Sequence, residues 1–256
     1  MSGSLAVSAE LLTAFLLVLA RVSGVVALAP LPGGSLFPVP AKIALSLVLA
    51  VLLTPLALVS GVPSGPWTLG LWVAREAGFG VGVGVALQFL AEMLGLAAQM
   101  LGFQAGYSYV NTIDPTSQVD ATILNVLLTL LGGLLLFSLN LHLELVRALA
   151  LSLERIPLGE FRPQLGTAER LVRLGAAVFE MAVRLAFPVI ALLLMLDLVL
   201  ALLSYVNARM QLLTLSFPVK MLVTMMSLSA VLAVAPRLYG RLARQALGAI
   251  FELAGR

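Results

Sequence analysis

The chain has 256 residues, 61% of them hydrophobic and 11% charged, with a mean hydropathy of +1.10. Soluble globular domains run near 45–50% apolar and about 25% charged, so a water-soluble fold could not hide this much apolar surface. The apolar runs are continuous rather than alternating, which excludes a transmembrane β-barrel and predicts an all-α integral membrane protein with about six apolar segments. Net charge is +3 and the pI near 9.7, but the basic residues are scattered, a pattern that gives nucleic-acid binding no support. There is no cysteine, and His142 is the single histidine, so disulfides and a His/Cys metal site are excluded within this chain.

The first predicted span covers about residues 11–29. Residues 1–9 carry no Lys or Arg and run into it, so the N-terminus reads as a span rather than a cleaved signal. Pro30, Pro32, Gly33 and Gly34 end it. The second span is 41–58, opened by Lys42, and the uncharged loop 60–66, rich in Gly and Pro, reads as a hairpin turn. The third segment, 69–106, is too long for one ordinary span, so it either protrudes from the bilayer or breaks. At about 100° per residue, Gly84, Gln88, Glu92, Gly95, Gln99, Gly102 and Gly106 fall near one meridian, forming a small and polar seam on an otherwise apolar helix. The small-xxx-small pairs Gly78/Gly82 and Gly80/Gly84 lie beside it and favour close helix approach. The seam is expected to face a neighbouring subunit or an aqueous lumen, and a bulky change on the opposite face, such as Leu94→Phe, is expected to be mild.

The polar loop 107–120 carries Asn111, Asp114, Pro115, Thr116 and Ser117 without a basic residue, and 121–139 reads as a clean fourth span. Residues 142–173 then hold Arg147, Arg155, Arg162, Arg170 and Arg173, which by the positive-inside rule makes this stretch and the tail (Arg237, Arg241, Arg244, Arg256) cytoplasmic. The fifth segment starts amphipathic and turns apolar after Pro188, interrupted only by Asp197. The sixth is 217–235, stopped at Pro236. Beyond it, arginines opposite Leu238, Leu242, Ala249 and Leu253 fit an interfacial helix.

Enzyme readings fail for want of a base beside a nucleophile and of any phosphate-binding or nucleophile-elbow motif. Ionisable groups at membrane depth cost about 2.5–3.5 kcal/mol each on insertion scales, which singles out Arg21, Glu92, Asp197 and Lys220. Asp197 and Lys220 are expected to pair across a hairpin, because the point midway between them falls inside the predicted turn. A small-solute transporter or channel using Glu92 and Asp197 is the alternative from another functional class; the lack of an internal repeat weighs against it.

Local sequence words also resemble the FliR family along most of the chain. They are Arg21 with Ala29-Pro30, residues 38–45 (PVPAKIAL), Arg75-Glu76 and the glycine run. Then come Gly102-Phe103-Gln104-Ala105-Gly106 with Asp114-Pro115 downstream, Asn140 and His142, Pro157-Leu158-Gly159, and residues 213–220 (LTLSFPVK). Leu141 stands where the family usually has Gly, and Asp197 where a neutral amide is common. The resemblance implies helical hairpins assembled into a flagellar or type III export gate in the bacterial inner membrane. The implied partners are FliP-like and FliQ-like subunits, with FlhB-like and FlhA-like components, unfolded secreted substrates and lipid, and no cofactor. Residues 1–120 would be a FliP-like half and 121–256 a half ending in a FliQ-like hairpin. The loop 106–119 would hang into the lumen as a plug, with Gly106, Tyr107, Tyr109, Asn111, Ile113, Asp114, Pro115 and Ser117 as its working residues.

Overall fold

The computed structural model describes residues 2–29, 38–57, 63, 65–107, 123–161, 165–206 and 212–253. The described regular elements are helical. They are α1 Ser2–Leu28, α2 Val39–Leu53 with a 3-10 turn Thr54–Leu56, α3 Pro66–Ala105, α4 Ile123–Ser138, α5 Leu141–Arg155, α6 Leu165–Val206 and α7 Leu212–Leu253. Five helices are long and apolar enough to cross a membrane, or up to six if the bent pair α4–α5 is one span. This is an all-α membrane protein.

α3 is the axis on which the others are assembled, packing against α1, α4, α6 and α7. It opens with Gly65 as N-cap and Pro66 in the first turn, where the missing N–H costs nothing. Thr68 Oγ1 both accepts from the Gly65 N–H at 3.0 Å and donates to the Gly65 carbonyl at 2.7 Å. The helix then runs unbroken for 40 residues, about 60 Å at 1.5 Å per residue, through Gly84, Gly95 and Gly102 of the seam, and stops before Gly106. A mid-helix glycine costs about 1 kcal/mol relative to alanine, and packing outweighs that here.

α1 crosses α3 closely. A Cβ on Gly80 would run into the Arg21 carbonyl, and one on Gly24 would lie 2.9 Å from the Ala77 carbonyl oxygen. One on Gly84 would meet Leu28 Cβ at 2.9 Å. Contacts advance in the same direction on both helices, Arg21 to Glu76 and Gly80, Gly24 to Ala77 and Gly80, Leu28 to Gly84, so α1 and α3 are parallel.

Three expectations change. The 121–139 span is a 16-residue α4, about 24 Å long and so shorter than a bilayer core. At Asn140 the chain takes a left-handed conformation (φ 55°), and α5 leaves at 62° to α4. Asn tolerates that conformation. Leu141, the departure from the family pattern, is an ordinary helical residue packed on the core, so no strain falls on it. Second, neither Pro188 nor Pro236 ends a helix: α6 and α7 are each 42 residues long with the prolines inside. Third, the tail beyond Pro236 is not an interfacial helix lying on lipid. Its apolar face, including Leu238, Tyr239, Leu242, Ala243 and Ala246, is buried in the chain's own core, while Arg237, Arg241 and Arg244 stay exposed.

The core is one contiguous cluster drawn from α1, α2, α3, α4, α5, α6 and α7. Outside it, α6 and α7 are apolar yet hardly covered: 22% and 11% of their most apolar windows are buried. Phe187, Leu198 and Met226 are among the large side chains left bare there. Such surface needs lipid or neighbouring protein.

Candidate functional site

Three polar groupings occur within this apolar body. The first is fully enclosed. Arg21 and Glu76 are each completely buried; Arg21 Nε donates to Glu76 Oε2 at 2.5 Å and Nη1 to Ser152 Oγ at 3.1 Å. Glu76 Oε1 accepts the Gly159 N–H at 2.9 Å, and Arg75 Nη1 donates to the Gly159 carbonyl at 3.0 Å. Phe79 lies under the Arg21 guanidinium at 4.8 Å and meets Phe161 edge-on at 5.0 Å. Gly159 has φ 86° and packs flat on the Trp72 ring, which a Cβ would penetrate. One ion pair therefore joins α1 and α3 to α5 and to the turn after it. Sequence inspection singled out Arg21 and quoted Glu76 without joining them. The available signal was Gly24 and Gly80, the small residues that follow Arg21 and Glu76 at one-turn spacing.

The second grouping sits where α3 ends. Lys220 Nζ lies 2.5 Å from Asp197 Oδ1, and Gln104 Nε2 donates to Asp197 Oδ2 at 3.1 Å, so one carboxylate ties α3, α6 and α7. The Lys220 and Asp197 side chains are 15% and 37% exposed, so the pair is only partly shielded from its surroundings. Beside it, Gly106 closes α3 at φ 83° in a Schellman motif: its N–H reaches the Phe103 carbonyl at 3.2 Å and the Tyr107 N–H reaches Gly102 at 3.0 Å. Phe217 packs against Gly106 so tightly that a Cβ would lie 2.6 Å from its ring. Partial burial raises the Tyr107 phenol pKa above its ordinary value, leaving the group neutral. Gln104 and Phe217 were not singled out from sequence as site residues. Tyr109, Asn111, Ile113, Asp114, Pro115 and Ser117 lie outside the described residues.

The third grouping is the seam, which divides. Gly84 and Gly102 are buried in the chain's own packing. Gln88, Glu92, Gly95 and Gln99 instead line a cavity of about 540 Å³, with Lys42, Asn125, Thr129, Gly132, Gly133 and Tyr239 also on its wall. Glu92 is exposed and accepts from Gln88 Nε2 at 3.0 Å. The face opposite is not bare: Leu94 is fully buried, and its Cδ1 would lie 3.1 Å from a Cβ on Gly132. Leu94→Phe is therefore not the mild control its place off the seam suggested.

Among the described residues no cluster of metal-ligating side chains occurs. The polar groups described here hold helices together or line space.

Comparison with known proteins follows the same lines. Residues 12–246 match the family described as bacterial export proteins, family 1. The chain is 26% identical to the flagellar biosynthetic protein FliR of Escherichia coli K12 over 215 residues, 84% of this chain and 82% of that protein. It is 25% identical to the FliR of Bacillus subtilis 168 over 230 residues, 88% of each. For the FliR of Caulobacter vibrioides the figures are 26% over 208 residues, 80% of this chain and 83% of that protein. With a match running from the middle of α1 to the last turns of α7, the chain belongs to the bacterial export proteins, family 1.

Proposed function

We propose that this chain is a subunit of a flagellar or type III protein export gate, where it helps form and plug the channel for unfolded substrates. Its place is the bacterial inner membrane. FliP-like and FliQ-like subunits are its direct neighbours, and FlhB-like and FlhA-like components belong to the same apparatus. It performs no chemical step and takes no cofactor. The halves 1–120 and 121–256 contribute the loop-bearing part and the terminal hairpin. The family match across residues 12–246 carries this reading. The bare apolar faces of α6 and α7 and the open polar cavity on α3 support it, since both suit a chain completed by neighbours.

Within that assembly the loop 106–119 is the plug. A pore wide enough for unfolded polypeptide leaks ions when idle unless something closes it, and this loop leaves α3 at a glycine turn clasped by Phe217. Co-expression tests the subunit reading. The tagged chain should co-purify with FliP-like and FliQ-like proteins and be unstable without them. A chain that is monodisperse alone and moves a small solute in vesicles would be a transporter instead.

A further inference from the structure

Four acidic side chains lie within the long apolar helices α3 and α6 away from their ends: Glu76, Glu92, Glu180 and Asp197. Three are matched by cations of this chain, Glu76 by Arg21, Glu180 by Arg184 and Asp197 by Lys220. Glu92 is not. Among the described residues it makes no ion pair, and its one neighbour is the neutral Gln88 amide. The other charge on the cavity wall, Lys42, makes no ion pair with it: Nζ donates to the Ala27 carbonyl at 2.9 Å, on the same wall, in the last turn of α1, where the helix dipole favours a cation. Glu92 sits about 20 Å from the end of α3, well inside a membrane-length helix. A carboxylate there needs a counter-charge or water rather than lipid.

The cavity around it is shaped for an entering cationic head. Gln99, Asn125 and Thr129 add uncharged polar groups to the same wall as Glu92. Ala91, Gly95, Gly132 and Gly133 keep that wall low, and a Cβ on Gly95 would meet nothing closer than Asn125 at 3.9 Å. Small residues of this kind admit a neighbouring backbone.

We propose that this cavity receives a lysine or arginine side chain from an apolar helix of a neighbouring gate subunit, with Glu92 as its counter-ion. The inference rests on the export-gate reading and names the partner chemistry of the seam. Charge complementarity selects the occupant: the chain matches the other three carboxylates itself and leaves this one exposed on a polar wall.

The test uses the full complex purified from membranes through a tag on this chain. Glu92→Lys should lower recovery of the subunit that supplies the cation by at least about tenfold, because it turns a close charge pair into a repulsion, with membrane insertion of the chain unchanged. Glu92→Gln should fall between it and wild type. Changing to Glu, one at a time, the basic residues within apolar segments of the co-purified subunits should identify one that restores recovery with Glu92→Lys. A photo-crosslinker at Gln99 should join that same subunit. Wild-type recovery with Glu92→Lys overturns the inference alone. So does a loss that no partner substitution relieves, with crosslinks only to lipid; the cavity would then hold a free cation or water. A wild-type chain that captures neither FliP-like nor FliQ-like subunits overturns the gate reading and this inference together.

Discussion

At the scale of single residues, the two charge pairs differ in burial, and the difference sets what their loss should do. Arg21 and Glu76 are wholly removed from solvent, so taking away one partner strands a charge and costs about 3–5 kcal/mol. Arg21→Met should lower the thermal midpoint of the detergent-solubilised complex sharply. Arg21→Met with Glu76→Leu should recover much of that loss, because an apolar pair removes the stranded carboxylate. Ser152 and the Gly159 N–H would still lose their partners, so recovery should be incomplete. Asp197 is more than a third exposed, and Gln104 still donates to it when Lys220 is gone. Lys220→Met should therefore be milder than Arg21→Met, and the double change with Asp197→Asn milder again. A double-mutant cycle on complex recovery measures both pairs, and equal losses for the single and double changes would discard the pairing at Asp197 as a stabilising element.

At the scale of elements, the glycines of α3 do different jobs although they lie within a few turns. Gly80 and Gly84 let α1 approach, and a side chain at Gly80 has nowhere to go but the Arg21 backbone. Gly80→Leu should therefore prevent the chain itself from folding, read as loss of full-length protein from membranes. Gly95 faces the cavity, so Gly95→Leu should leave insertion and chain yield normal while reducing recovery of the neighbouring subunits. Leu94→Phe, on the buried side, should behave like an overpacked core and cost about 1–3 kcal/mol. Limited proteolysis of the chain in native membranes separates the other two: accelerated cleavage for Leu94→Phe, a wild-type pattern for Gly95→Leu. The α6–α7 hairpin persists through its prolines. Pro188, Pro218 and Pro236 each free only the carbonyl four residues before them, and the helices run on past all three.

For the molecule as a whole, the plug proposal has a direct consequence. Deleting 110–117 should raise leakage of small ions or dye through cells carrying the assembled gate, and leave assembly intact. A cysteine introduced at Asn111 should crosslink to a substrate stalled during export, on a background that has no native thiol. A membrane as tight as wild type after the deletion would end the plug assignment while leaving family membership untouched. Composition determined that this is a membrane protein, because no soluble fold buries so apolar a chain, the continuity of the apolar runs made it all-α, and local sequence words pointed to the family. The seam was legible for a similar reason, since helical periodicity is local. What only tertiary structure decided is where each polar group points. The helix end at Pro236 was misjudged because packing overrides proline propensity, and of the two readings open for the third segment the unbroken one holds. Arg21 finds Glu76 across 55 positions of sequence, and Gln104 finds Asp197 across 93. Local propensity and spacing hold no record of such meetings; they are set by which helix faces pack together.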